Sequence, residues 1–518
     1  MPSTSATVRT PISTDILRWP VVGRALRWRH ARTTLQLVLL VGAAVIVLHG
    51  LLGPPLASNN LATVLTWVHY RGLLVLALLA VGNAFCTGCP FVLVRDAGRR
   101  LRRPTLRWPR RLRTKWIAIA LFVFVLFSYE LFDLWALPRA TAYLVLVYFG
   151  SALVIDLAFS GATFCKYLCP IGQFNFAAST VSPLELKVRE ESVCRSCRTA
   201  DCIRGRREPA VASNITQNVK RKAPETAPLD VSRSMFDVRR KVVRRPVQRG
   251  CELGLFLPLK VGNMDCTFCL DCVQACPHDN VALVPRLPAA ELSDPRRRSG
   301  IGRFAQRHDI AALALLFAFG SMVNAFAMTA PSYTLERWLS RTMDVGSEAP
   351  VLAAVFLVGL CAVPLVLVGG AAILTRKLAG AERGSISGIL VNYAYALVPF
   401  GFGMWLAHYC FHLLTSVLTV VPITQSAAID ILGWPALGEP HWRWAGLRPG
   451  AVFPIQLGFI FLGTIGSLAV AYQVSQRDYP DRPGPTTVPW AVVAAGLASL
   501  AVWILAQPME MRGLGFLG

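Results

Sequence analysis

Nine apolar stretches, each about 20 residues or longer, constrain this chain most. They run near 34–52, 61–85, 116–137, 140–164, 309–331, 350–375, 388–421, 451–475 and 487–506. A stretch of that length spans a hydrocarbon core of roughly 30 Å as a helix. A helix also satisfies its own backbone polar groups where lipid offers no partner. The expected fold class is therefore an all-α polytopic membrane protein with about nine transmembrane helices. Composition agrees, since 54% of the 518 residues are hydrophobic and 16% are charged, against about 25% charged in an ordinary soluble domain.

The net charge of +24 is not gathered on a soluble basic face, as a nucleic-acid binder would have it. It lies between the apolar runs. The segment 1–33 carries Arg9, Arg18, Arg24, Arg27, Arg29 and Arg32 against Asp15, which predicts a cytoplasmic N-terminus. The run that follows is expected to stay as a permanent helix, because it is too long for a removable signal peptide. Nine crossings then put residues 95–115, with ten Lys/Arg and one Asp, on the same side. The same holds for residues 166–307, with 25 basic and 14 acidic residues. The outer loops near 53–60, 333–349 and 424–450 are close to neutral. Four regions follow: a basic cytoplasmic segment 1–33, a four-helix membrane domain 34–170, a cytoplasmic domain 171–307, and a five-helix membrane domain 308–518. The stretch Pro224 to Pro246, basic and without periodicity, is expected to be a flexible insertion.

Twelve of the fourteen cysteines sit in close sets, which favours metal ligation in a reducing compartment over disulfides. Cys266-x2-Cys269-x2-Cys272-x3-Cys276-Pro277 has the spacing of bacterial ferredoxins, where three thiolates hold one cluster and the fourth reaches another. A structural zinc site is the competing reading, but zinc normally takes paired ligands. Upstream lie Cys194-x2-Cys197-x4-Cys202 and, after a long insertion, Cys251. Eight cysteines fit two 4Fe–4S clusters. By the crossed pattern, Cys194, Cys197, Cys202 and Cys276 hold one, and Cys251, Cys266, Cys269 and Cys272 the other. The fold expectation thus includes an inserted bacterial-ferredoxin-like two-cluster domain.

The first four spans form two hairpins with similar endings, Phe85-Cys86-Thr87-Gly88-Cys89-Pro90 and Phe164-Cys165-Lys166-Tyr167-Leu168-Cys169-Pro170. The likeness suggests an internal repeat. Packed side by side, the hairpins would bring Cys86, Cys89, Cys165 and Cys169 to one depth, as a shared metal or redox site, a thiol relay or inert packing. Lone Cys361 and Cys410 are expected to be buried small hydrophobes.

Paired hairpins ending in Phe-Cys…Cys-Pro, followed by the two-cluster cysteine pattern, resemble the membrane polyferredoxin family of NapH-like and NosR-like electron-transfer proteins. The resemblance covers roughly residues 34–285. It implies an iron–sulfur oxidoreductase component of the bacterial inner membrane that passes electrons between membrane quinol and other redox proteins. The related CcoG implies a second role, in copper handling for oxidase assembly. Cys165 and Cys169 match the family's Cys-x3-Cys-Pro, and the eight domain cysteines match its cluster ligands.

Ionisable residues inside a membrane are functional candidates by default. His49, His69, Arg71, Glu130, Asp133, His408 and His412 are expected in the outer halves of their helices. His49, His69, His408 and His412 are candidates for binding b-type haem or a quinone. The alternative is snorkelling side chains or ion pairs of Arg71 with Glu130 or Asp133. Asp156, nearer the cytoplasmic side, is a candidate proton partner or an interhelical hydrogen bond. The sequence therefore predicts an integral membrane electron-transfer protein working between the quinone pool, or another membrane redox protein, and a redox partner such as ferredoxin or flavodoxin. Copper reduction or assembly of a respiratory enzyme is the alternative, and a redox sensor is disfavoured because no output domain is recognisable. Nothing resembles a nucleophile triad, a phosphate loop or a nucleic-acid module.

Overall fold

The computed structural model describes residues 15–102, 104–207, 246–294, 298–299, 302–380 and 384–509. The N-terminal basic segment before Asp15 and the expected insertion up to residue 245 lie outside the described residues. The chain is mainly helical. Among the described residues, eight helices are long and apolar enough to cross a membrane. In chain order the principal helices are α1 (Ala31–Leu52), α2 (Leu61–Val81), α3 (Pro90–Leu101), α4 (Trp116–Leu131), α5 (Pro138–Ala158) and α6 (Pro170–Ser179). They continue with α7 (His308–Phe326), α8 (Ala330–Met343), α9 (Glu348–Ala379), α10 (Ile386–Thr415), α11 (Val420–Leu432), α12 (Pro449–Asp478) and α13 (Pro483–Ala506).

The expected third span is the short one. Its helix α4 covers 16 residues and ends at Leu131, where Asp133 turns the chain with φ 43°. Two helices fall in segments expected to be outer loops: most of the amphipathic α8 and, beyond a break after Thr415, most of α11. The break replaces the expected continuous run to 421.

Both hairpin motifs lie just past their membrane helices rather than within them. Gly82, with φ 73°, ends α2, and Cys86 follows in a short helix, Ala84–Gly88. Cys165 lies in a π-turn, Phe164–Leu168, after α5 has ended at Ala158. The second cysteine of each motif caps the next helix with proline in its first turn. Cys89 has φ −57°, ψ 117° before α3, and Cys169 has φ −61°, ψ 110° before α6. Proline suits that position because its missing N–H is one the helix leaves unpaired. The two motifs are thus near copies in backbone conformation as well as in sequence.

Between α6 and α7 the chain forms a small cysteine-bearing unit. Its framework is an antiparallel pair of strands, β1 (Leu184–Val188) and β2 (Val281–Pro285), with Leu184 opposite Pro285 and Val188 opposite Val281. Asp15 ties the N-terminal segment to it, accepting from Leu283 N at 3.2 Å and from the Arg189 guanidinium at 2.8 Å. The unit sits against helix ends that carry cations. Arg32 at the start of α1 pairs with Asp271, Arg95 of α3 with Glu252 at 2.7 Å, and Lys115 before α4 with Asp265 at 2.7 Å. The Arg477 guanidinium at the end of α12 reaches Asp294 at 3.6 Å. The N-terminal end of α1 and the described residues of 95–115 and 171–307 therefore gather at one end of the helices, the grouping that the charge distribution predicts.

One buried acid in this unit makes no side-chain hydrogen bond to a cation. Glu291 is 4% exposed, and Arg286 approaches its carboxylate only to 3.6 Å. Its space exists because residue 262 is glycine: a Cβ there would lie 1.2 Å from Glu291 Oε2. Burial pushes the carboxyl up to about 7, with Arg286 offsetting only part of the cost. A carboxyl raised in the folded state gives stability that is complete below its unfolded value of 4.5 and is lost as pH rises through about 7. The loss amounts to about 3 kcal/mol. Glu291→Gln should raise the melting temperature at pH 8 and leave it nearly unchanged at pH 5. Equal shifts at both pH values would show that Glu291 is not desolvated as described.

Candidate metal centres

The eight cysteines of the unit gather in two sets of four, and the sets are crossed. Cys194, Cys197, Cys202 and Cys276 line one recess, together with Phe256, His278 and Asn280. Cys251, Cys266, Cys269 and Cys272 form the other set, with Cys272 within electrostatic range of the remaining three. Cys276, adjacent in sequence to the second set, thus belongs to the first, and Cys251 makes the reverse crossing.

The loops are shaped to carry thiolates. Five non-glycine residues with positive φ fall in or beside them: Ala200, Asp265, Phe268, Leu270 and Asp279. Such left-handed positions are uncommon outside glycine and cluster where function holds the backbone. They turn the chain tightly between ligands. Sulfur atoms accept hydrogen bonds from Leu255 N to Cys251 at 3.4 Å and from Asn280 N to Cys276 at 3.4 Å. The Asn280 side chain also donates to Cys194 Sγ at 3.3 Å and to the Glu190 carbonyl at 2.7 Å. Asn280 therefore pins the two segments that make the first set, a role its sequence position did not signal.

The sets differ in exposure and in thiol acidity. The first is half-buried at the surface. There the Ala200 backbone N–H and Thr199 side chain bring Cys197 down to about 7. In the second set, burial pushes Cys266, Cys269 and Cys272 above the ordinary thiol range. Metal loading of the second set must therefore release protons. Among the described residues no three His, Cys, Asp or Glu side chains converge as the ligands of a single metal ion do. Both sets are all-thiol, a donor composition that suits soft metals and iron–sulfur clusters.

No family model, curated protein or solved structure matches this chain. The case for the sites therefore rests on their own geometry.

The hairpin cysteines also meet. Cys165 is within electrostatic range of Cys169 and Cys89, and Cys169 is within range of Cys89 and Cys86. Cys86 is in turn within range of Cys266 of the second set. The lone cysteines divide: Cys410 is buried, whereas Cys361 is exposed on α9, contrary to expectation.

The membrane histidines do not act as one group. His49 is committed to structure, with Nε2 3.1 Å from Asp430 on α11 and Nδ1 accepting from Leu61 N at 3.1 Å. Both ring nitrogens are occupied, which removes it from the haem candidates. His69 Nδ1 lies 3.2 Å from the Val64 carbonyl of its own π-turn. His408 and His412 are buried one turn apart on α10, their ring centroids 4.9 Å apart. Two histidines of one turn cannot be opposite axial ligands of one haem. His412 lines a cavity with Arg71, Glu130, Asp133, Glu336 and Glu348. The Arg71 guanidinium lies over the rings of Trp67 at 4.3 Å and Tyr129 at 4.2 Å, a cation–π setting. Asp156 is structural: Oδ1 accepts from Phe164 N at 2.9 Å and Oδ2 is 3.6 Å from Arg95.

Replacing Asn280 with leucine removes the side-chain links to Cys194 and Glu190, while the backbone N–H to Cys276 Sγ remains. Asn280→Leu should lose about half of the bound iron, all of it from the first set. Unchanged iron content would show that Asn280 does not hold that set together.

Proposed function

We propose that this protein is an integral membrane electron-transfer protein. Its two crossed cysteine sets would hold two 4Fe–4S clusters that pass electrons between the quinone pool, or a membrane partner, and a soluble redox protein. The observation that carries this reading is the crossed gathering of eight thiols into two four-ligand sets. Such clusters supply one-electron chemistry at potentials tuned by charge, hydrogen bonds and exposure.

The protein's own residues give the two sets different tasks. The second set is clamped to the membrane helices through Glu252, Asp265 and Asp271, so it faces the membrane side. The first set is half-buried and ringed by exposed Arg195, Arg198, Arg204 and Arg206. Those cations suit an acidic docking partner such as ferredoxin or flavodoxin. On this reading residues 171–307 lie in the cytoplasm of a bacterial cell, in accord with the basic loops around them, and the chain is a polyferredoxin-type member of the inner membrane.

A quinone has a place to reach the second set. A cavity of about 410 Å³ runs along α12 from Phe459 to Gln473 and is also lined by Leu79, Val181, Pro399 and Phe402. Fifteen residues of helix make it about 21 Å long, enough for a redox ring and part of an isoprenoid tail. Its lining residues Leu79 and Val181 lead within three residues to Gly82 and Ser182, and a Cβ on Gly82 would lie 3.0 Å from Ser182 Oγ and 2.9 Å from Phe268, a residue of the Cys266–Cys269 loop. The outer cavity at His412 is on the far side of the bundle.

The test is reoxidation of dithionite-reduced protein by a short-chain quinone, followed by low-temperature EPR. Ala469→Trp, which fills the cavity from an exposed position on α12, should slow quinone reoxidation at least tenfold with iron content unchanged. Cluster signals that ignore quinone in the wild-type protein would overturn the quinone reading.

A further inference from the structure

The four hairpin cysteines are not used by the two-cluster reading, yet they stand among buried polar groups. Cys86 and Cys89 come from the turn after α2, and Cys165 and Cys169 from the matching turn after α5. Around them several buried polar atoms make no hydrogen bond: Asn83 Oδ1, Asn175 Oδ1, Gln173 Oε1 and Tyr148 Oη, while Arg95 Nη1 reaches only Asp156 Oδ2, at 3.6 Å. Asn83, Asn175 and Gln173 are fully buried, and Arg95 is 1% exposed. Leaving such groups unpaired costs about 1–3 kcal/mol each. A cluster of them around four thiols is the signature of a site completed by something other than protein.

We propose that Cys86, Cys89, Cys165 and Cys169 hold a third iron–sulfur centre, of the 2Fe–2S type, at the boundary between the membrane helices and the cysteine unit. Each hairpin supplies one pair of thiolates, and a two-iron cluster takes two from each side. Charge balance is provided. Four thiolates around a ferric pair carry net negative charge, and Arg95 and Arg32 are both within electrostatic range of Cys89. Asn175 donates to Cys86 Sγ at 3.5 Å and Gly172 N to Cys169 Sγ at 3.2 Å.

The site is wired to the second set by hydrogen bonds. Asn83 Nδ2 donates to the Cys266 carbonyl at 3.0 Å, and Thr87 Oγ1 donates to the Phe268 carbonyl at 2.8 Å. The loop that carries Cys86 is therefore held directly against the loop that carries Cys266. The chemistry is the transfer of one electron between the third centre and the neighbouring cluster, with no bond made or broken. The chain of centres then runs from the membrane boundary through the second set to the first.

This inference goes beyond the two-cluster reading, and its test separates the two. Full-length protein prepared anaerobically is assayed for metals and sulfide and examined by EPR after reduction. The expected result is about ten irons per chain rather than about eight, together with a signal that persists at temperatures where cubane signals have broadened away. Cys165→Ser and Cys89→Ser, one in each hairpin, should each lose that signal and about two irons while keeping both cubane signals, which also report correct folding. Eight irons with no persistent signal, or copper or zinc bound at these four thiols instead, would overturn the third centre and leave the two-cluster reading intact. Loss of the cubane signals alone, with the persistent signal retained, would sink the two-cluster reading and leave the third centre standing.

Discussion

Three buried ion pairs determine how this molecule is assembled. Arg32 at the start of α1, Arg95 within α3 and Lys115 just before α4 each find one acid of the cysteine unit: Asp271, Glu252 and Asp265. Each of those acids is the immediate sequence neighbour of a second-set cysteine, namely Cys272, Cys251 and Cys266. Burying charge is costly unless it is paired with good geometry, and removing one partner leaves the other uncompensated. The pairs therefore fix the position of the second set on the membrane bundle. Burial alone would raise the Glu252 carboxyl, but Arg95 and Arg32 more than offset it and hold it down at about 2. Its contribution to stability is present above its unfolded value of 4.5 and is lost only as pH falls through about 2.

That clamp gives the rest of the structure its direction. The second set is buried against the helices, and the first is displaced toward solvent, where arginines surround it. On the proposed function, lipid-side chemistry would meet the second set and soluble partners the first. The hairpin motifs complete the arrangement, because their near-identical Cys-Pro caps place two pairs of thiols on the membrane side of the same clamp. A sequence repeat has become an approximate structural symmetry about one polar enclosure.

Much of this was legible in the sequence because it rests on local rules. Apolar run length located the spans, and positive charge put the basic loops on one side. The tight spacing from Cys266 to Cys276 announced a crossed partner, and the structure pairs Cys276 with the first set. What was not legible depends on tertiary contact. Asn280 is an ordinary loop residue until β1 and β2 pair and bring Glu190 beside it. Glu252, Asp265 and Asp271 look like scattered acids until the helix ends reach them. Depth alone did not specify what each membrane histidine faces: His49 is bonded to Asp430 and Leu61, whereas His408 and His412 lie one turn apart on α10, as their sequence spacing implies. The helix α4 was read too long because its apolar run continues past Asp133, where the backbone turns.

The central claim is that the two clusters are shared crosswise between the cysteine segments. Reduced full-length protein carrying Cys276→Ser, Cys202→Ser or Cys272→Ser should be compared by low-temperature EPR. The account predicts that Cys276→Ser and Cys202→Ser disturb the same cluster signal and that Cys272→Ser disturbs the other. If Cys276→Ser instead matched Cys272→Ser, the sets would not be crossed and the account would be contradicted.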